Sequence, residues 1–169
     1  MIYYINIGTN LGNRAANIDA AVASLEARLQ ATARRSDAVQ TSAWGFDSPN
    51  MFLNAGVALE SEIEPLAMLA VLKDIERSMG SSCHRNADGG YADRIIDLDI
   101  MAIDEMTIDL PELCVPHRHL ADRDFFLRPM AQLAPNWRHP LLHQSASQLL
   151  AALQSNIQAE VTLNDLFEL

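Results

Sequence analysis

One domain in which α-helices and β-strands share a core is the fold class that the sequence predicts, on three observations. Apolar residues make up 49% of the 169 positions, enough to fill a core without disulfides or a structural metal. Short apolar or alternating runs, which suit strands, are interspersed with runs of helical period. No repeat, low-complexity tract or linker breaks the chain, so residues 1–169 are expected to form a single domain.

Ile2 to Ile7 is an apolar run ended by Gly8-Thr9-Asn10, the pattern of a buried strand entering a turn. Asn13 suits a helix cap, and Ile18, Val22, Leu25 and Leu29 then recur on one helical face. Ala38 to Ser42 reads as a strand, and Ala43 to Asn50, with Gly45, Asp47 and Pro49, as an exposed loop. Polarity alternates from Phe52 to Ile63, which predicts a strand with Leu53, Ala55, Val57 and Leu59 on one face and Phe52 with Asn54 on the other. Pro65 opens a second helix carrying Met68, Leu72, Ile75 and Met79, and Gly80 stops it.

Ser81 to Gly90 is polar and without period, so a mobile loop is expected there. Ile95 to Ile103 is apolar except for Asp97 and Asp99 and reads as a core strand. Arg123 to Leu133 is expected to be helical despite Pro129, Ala146 to Leu153 to form a shorter helix, and Glu160 to Leu163 to supply a last strand.

A net charge of −10 disfavours polyanionic partners, so neither nucleic acid nor an anionic membrane is expected as a ligand. Lys73 is the sole lysine, whereas Arg85, Arg94, Arg118, Arg123 and Arg128 fall in one stretch. Guanidinium groups among acids suit bidentate phosphate contacts, and equally a solvated surface. Cys83 and Cys114 have neither a disulfide framework nor metal-ligand spacing, and a reducing compartment follows. Met1 to Ile7 lacks a leader's basic start, and no run approaches the ~20 apolar residues of a membrane span. A cytoplasmic protein is expected, with a monomer as the default.

Side chains on a strand alternate between faces, so Asp97 and Asp99 share one side while Ile96, Leu98 and Ile100 anchor the other. Their Cα atoms are then roughly 6 to 7 Å apart, from a rise of ~3.3 Å per residue. Two partly buried carboxylates that close raise each other's pKa unless a cation stands between them, and magnesium carrying a nucleotide is such a cation. Ion pairs with the nearby arginines, or a solvated sheet face, would satisfy the same two acids.

The segment Tyr91-Ala92-Asp93-Arg94-Ile95-Ile96-Asp97-Leu98-Asp99-Ile100-Met101 resembles the signature of the 6-hydroxymethyl-7,8-dihydropterin pyrophosphokinases. Three further pieces follow the same family order: Tyr4-Ile5-Asn6-Ile7-Gly8-Thr9-Asn10-Leu11, Phe52-Leu53-Asn54-Ala55, and Val115-Pro116-His117 with Arg123-Asp124-Phe125. The resemblance covers most of the first 135 residues and implies an α+β fold, a ferredoxin-like antiparallel sheet with helices packed on its faces. It implies that Asp97 and Asp99 hold two magnesium ions on ATP, and that Phe52 and Phe125 sandwich a pterin whose edge Asn54 reads. Thr41, Ser42 and Trp44 belong to the loop that completes the pterin pocket.

By the same resemblance Arg94, His117 and Arg123 contact phosphates, with Arg94 and Arg123 neutralising charge during transfer. Ile100 and Leu113 line the adenine site, and Lys73, Glu76, Arg85, Tyr91 and Arg118 lie near the nucleotide. The activity implied is transfer of the diphosphate of ATP to the hydroxymethyl group of the pterin, giving AMP, in folate biosynthesis. The chain departs from the family at Ser81 and Cys83, where arginines usually stand, at Glu112 and at Arg118. A relative that binds without turnover and an unrelated ferredoxin-like metabolite sensor are the competing readings. His117-x-His119 would suit zinc, but no third ligand follows at a suitable spacing. A P-loop kinase is excluded, since no G-x-x-x-x-G-K-[ST] occurs.

Overall fold

The apolar run at the N-terminus becomes the middle of a sheet because both of its neighbours are long strands that share its alternation. In the computed structural model, which describes residues 1–81 and 92–167 with side chains to Gln158, β1 spans Ile2–Thr9. It is followed by α1 (Arg14–Leu29), β2 (Arg34–Arg35), β3 (Val39–Thr41), β4 (Phe52–Glu60) and α2 (Pro65–Ser78). Then come β5 (Asp97–Ile103), β6 (Ile108–Asp109), β7 (Cys114–Val115), α3 (Asp124–Leu133) and α4 (Ala146–Phe167). The sheet runs β2-β4-β1-β5, with β3 pairing the other end of β4, and all of these pairings are antiparallel. This is the α+β, ferredoxin-like arrangement that the resemblance implies.

Two cores lie on opposite faces of the sheet. Tyr3, Ile5 and Ile7 of β1 join Ala55, Val57 and Leu59 of β4 and Leu98 of β5 under α1 and α2, which contribute Ile18, Ala21, Leu25, Met68, Leu72 and Ile75. Tyr4 and Ala58, one residue out of phase, and Ala102, beyond an irregularity in β5, pack instead against Phe126, Leu127 and Met130 of α3 and Leu149 of α4. The β1 and β5 register shifts between Tyr4 and Ile5, and Met101 turns to this second core. Helix α3 carries Pro129 and packs closely on β4 at Gly56, where an added Cβ would stand 2.6 Å from Pro129 Cβ, so glycine is needed there.

Several boundaries differ from the sequence reading. Gly8 and Thr9 belong to β1, paired with Asn54 and Leu53, because a ladder bonds through backbone and needs no apolar side chain. Strand β4 ends at Glu60, short of Ile63, and β5 begins at Asp97, two residues after Ile95. The two exposed arginines of β2 form an edge strand that no hydrophobic pattern announces. Glu160 to Leu163 is helical, not a strand: α4 runs on to Phe167, since extending a formed helix costs less than nucleating new structure. Among the described residues no helix is long and apolar enough to cross a membrane.

The expected loop Ser81 to Gly90 lies outside the described residues apart from Ser81. That serine is buried, donating to Ile96 O at 2.7 Å and accepting from Ile96 N at 3.1 Å. It ties the end of α2 to the entry of β5.

Candidate active site

The second sheet face is only partly covered, because α3 lies over Gly56 and leaves the row Phe52, Asn54, Gly8, Asp97 open beside it. Register explains the grouping: Gly8 pairs with Asn54 on one side and with Asp97 on the other. Glycine is needed at the centre of this row, since a Cβ there would stand 2.9 Å from Asn54 Oδ1. The resulting cleft, about 430 Å³, has Asn6, Asn54, Asp97 and Asp99 on its floor, and Thr41, Ser42, Trp44, Phe46, Phe52, Arg94, Arg123 and Phe125 around it. All six residues expected around a pterin therefore meet in one place, together with the two acids and both arginines.

A second depression of about 630 Å³ adjoins it, lined by Lys73, Ile100, Leu113, His117 and Arg118 among others, and Asp99 lines both. Five of the expected nucleotide residues thus converge on the far side of Asp99, whereas Arg94 and Arg123 line the first cleft. Glu76 is buried behind them, accepting from Leu98 N at 2.7 Å and from Lys73 Nζ at 3.1 Å, so it braces β5 and orients the lysine. Arg85, Tyr91 and Cys83 lie outside the described residues.

Charge in the cleft is unbalanced in an instructive way. Arg94 Nη1 donates to Asp97 Oδ2 at 2.8 Å, an ion pair with the arginine almost fully buried. Burial first, and then the Asp97 charge, push the Asp99 carboxyl up to about 7 against the opposing pull of Lys73 and Arg123. Part of the Asp99 side chain still meets solvent, but the protein around its carboxyl removes most of the water that would stabilise the anion. Two oxygen ligands, one of which ionises readily only when positive charge arrives, fit a hard divalent cation; magnesium takes one or two carboxylates and leaves its other positions to water and phosphate. Asp97 and Asp99 are the residues that would hold it.

Arg123 is the second buried cation. Its guanidinium lies 4.0 Å from the Trp44 ring centre and 5.1 Å from that of Phe126, while Nε has no hydrogen-bond partner among the described residues. His117 follows the cis Val115-Pro116 bond and accepts from His119 N at 3.1 Å through Nδ1. Burial, then Arg123, His119 and Arg118, lower its pKa to about 3, so it is neutral at physiological pH. The unfolded chain therefore binds this proton below pH 6.5 while the folded chain does not, and stability falls as pH drops from 6.5 toward 3. His117→Gln is expected to weaken that acid dependence in thermal melts across this range; an unchanged slope would contradict it.

Asp93 was missed by sequence reading, although it stands within the signature segment. Its carboxylate accepts from Asn10 Nδ2, Ser48 Oγ and Asn50 Nδ2, each at 2.6 Å. These bonds, led by that from Ser48, hold its pKa below the usual carboxylate range. The knot ties the loop bearing Ser42, Trp44 and Phe46 to the end of β1 and to Arg94, whose backbone N donates to Asn10 Oδ1 at 2.8 Å. Asp93→Ala is expected to lower amide-exchange protection of residues 43–51 at least about tenfold, given ~1–3 kcal/mol for charged hydrogen bonds. Equal protection in variant and wild type would show that the loop is held by other contacts. Asn6, Gly8 and Phe46 were also missed; the parity of β1 would have put Asn6 and Gly8 on one face.

Residues 4–135 match the family model of 7,8-dihydro-6-hydroxymethylpterin-pyrophosphokinase. A 2-amino-4-hydroxy-6-hydroxymethyldihydropteridine pyrophosphokinase of Porphyromonas gingivalis is 40% identical over 140 residues, 82% of this chain and 94% of that protein. Proteins of the same name from Pseudomonas aeruginosa (37% identical, covering 81% of this chain and 83% of that protein) and Methylorubrum extorquens (34%, covering 79% and 82%) are also similar. Among solved structures, an HPPK-DHPS crystallised in complex with substrates superposes with a TM-score of 0.72 at 12% identity, covering 95% of this chain and 44% of that one. A Plasmodium falciparum HPPK-DHPS gives 0.70 at 15% identity, covering 94% and 46%, so this chain spans less than half the length of those solved chains. At such identities the superposition speaks for the fold, whereas the family match and the relatives cover most of the sequence. The chain belongs to the 7,8-dihydro-6-hydroxymethylpterin-pyrophosphokinase family.

Proposed function

We infer how this chain carries out the reaction of its family, transfer of diphosphate from ATP to hydroxymethyldihydropterin in folate biosynthesis. It is an ATP-dependent diphosphotransferase, ATP is its co-substrate, and the family generally works with Mg2+. In our reading the pterin lies in the 430 Å³ cleft between Phe52 and Phe125, with Thr41, Ser42 and Trp44 closing one side and Asn54 reading its edge. ATP lies in the adjoining depression with adenine against Ile100 and Leu113 and phosphates near Lys73, His117 and Arg118, reaching toward Arg123 in the first cleft. The observation that carries this division is the position of Asp99, which lines both hollows and so marks where hydroxymethyl and phosphate meet.

Asp97 and Asp99 would hold two magnesium ions, which when bound neutralise phosphate charge and draw the hydroxyl and the phosphate together. The hydroxymethyl oxygen attacks the β-phosphorus in line, the bond from that phosphorus to the α-phosphate oxygen breaks, and AMP leaves. Arg94 and Arg123 face the charge that grows on the leaving phosphate. A carboxylate oxygen of the acidic pair receives the hydroxyl proton. Both hollows are built on one sheet, which supports a single domain over residues 1–169; our reading takes it as a monomer in the cytoplasm.

Ser81, where family members usually carry arginine, is buried against Ile96 and makes no phosphate contact available, which favours slow turnover. The test is AMP release from ATP and Mg2+ with and without 6-hydroxymethyl-7,8-dihydropterin. AMP that forms only with the pterin supports the reading; release of ADP instead, or binding of both ligands with no AMP formed, would overturn it.

A further inference from the structure

Asn6 is 2% exposed at the centre of β1, directly opposite Asp99 on β5 and Gly56 on β4. With Gly8, two residues on, it makes the middle column of the cleft floor, between Asn54 on one strand and the acidic pair on another. Its Nδ2 donates to Asn54 Oδ1 at 3.3 Å, and Asn54 Nδ2 donates to Thr41 Oγ1 at 3.2 Å. The three side chains form one directional chain across the floor.

The other end of the Asn6 amide is unanswered. Its Oδ1 is buried without a hydrogen-bond partner among the described residues, yet the residue lines the cleft. Buried acceptors are nearly always paired, and leaving one unpaired costs more than an apolar side chain of similar size would. Ile5 and Ile7 show what β1 uses where packing alone matters. An asparagine at this position is accounted for when the bound substrate supplies the missing donor.

We propose that Asn6 is a further substrate-reading residue: its Oδ1 accepts a hydrogen bond from a ring N–H of the pterin, while its Nδ2 holds the Asn54 amide in one orientation. This rests on the reading that the pterin occupies this cleft. The reduced pterin offers several ring and exocyclic N–H donors, whereas the triphosphate offers none, so the effect falls on one substrate only. Asn6 thereby joins the fixed end of the reader chain that runs through Asn54 to Thr41, and a ligand lacking an N–H at that point leaves two acceptors facing each other.

The test titrates 6-hydroxymethyl-7,8-dihydropterin and, separately, a non-hydrolysable ATP analogue with Mg2+ into wild type, Asn6→Ala and Asn6→Val, with thermal melts of each. The pterin is expected to bind both variants about tenfold more weakly, from the loss of one buried hydrogen bond and of the support to Asn54. Nucleotide affinity should stay within about twofold, and the Asn6→Val melt should stay close to wild type, since loss of the unpaired Asn6 Oδ1 offsets the donor that Asn54 Oδ1 loses while much of the bulk is kept. Wild-type pterin affinity in both variants would overturn the proposal, as would parallel loss of both ligands with a lowered melt, the mark of a purely structural role. If wild type itself binds no pterin, the placement of the substrate fails instead.

Discussion

Asp97→Ala is expected to lower diphosphate transfer on the order of a thousandfold while leaving pterin affinity close to that of wild type, the scale at which a group acting on transition-state charge is felt. The separation follows from the sheet. Asp97 stands on β5, two strands away from Asn54 on β4, with Gly8 of β1 between them, so its removal leaves the reader chain Asn6, Asn54, Thr41 in place. Removal also deprives Arg94 of an ion-pair partner at 2.8 Å, and Asp97→Asn, which keeps shape and a hydrogen-bond acceptor, controls for that loss. Both variants should bind the nucleotide with a shallower dependence on Mg2+ concentration. AMP formation at the wild-type rate in Asp97→Asn would remove the metal role from this residue, and pterin affinity lost in step with rate would make it structural.

Arg123→Met is expected to reduce transfer about a hundredfold or more and yet to raise, not lower, the melting temperature of the unliganded protein. The opposite signs come from what the side chain touches. Arg123 is 7% exposed, its Nε has no partner, and no ion pair is made to it among the described residues. Stacking on Trp44 at 4.0 Å returns about 0.5–2 kcal/mol, and the attraction to Asp99 is reduced because that carboxyl is itself pushed up to about 7. The effective cost of keeping a cation out of water is several kcal/mol, so desolvation exceeds stacking while the phosphates are absent. Methionine keeps the stem's packing and drops the charge. A melt that falls as steeply as the rate would show Arg123 to be part of the fold's own support, and unchanged AMP formation would remove it from the site.

These two residues also illustrate how unevenly the site was legible. Asp97 and Asp99 alone left ion pairs or a solvated sheet face open, and it was the whole Tyr91 to Met101 segment, through its resemblance to a family, that pointed to a metal. Arg123 looked like one of several arginines. Its burial under Trp44, a residue far away in sequence, depends on how the loop after β3 lies across the N-terminal end of α3. The tie that holds that loop, Asp93 on Asn10, Ser48 and Asn50, joins three segments with no shared periodicity, so pattern alone had no means of finding it. The resemblance to a family gave roles to most residues of the cleft; Asn6 and Asp93 stand within the segments that carry it, but it gave them none.

Secondary structure was read well where one face of an element is buried and the other is not, as in α1, α2 and the middle of β4, because the hydrophobic effect writes that asymmetry into local sequence. It failed for the arginine edge strand β2 and for the last turns of α4, where pairing or helix propagation decides and burial leaves no mark. By itself the amino-acid order determined the long elements α1, α2, β1, β4 and β5, the two acids on one strand face and the family. Only the tertiary structure decided that Asp99 stands where two hollows meet, that Arg123 and Asn6 are buried with atoms unpaired among the described residues, and that Ser81 belongs to the core. The physical reason is that burial and hydrogen-bond satisfaction are properties of many segments packed together, and no single segment carries them.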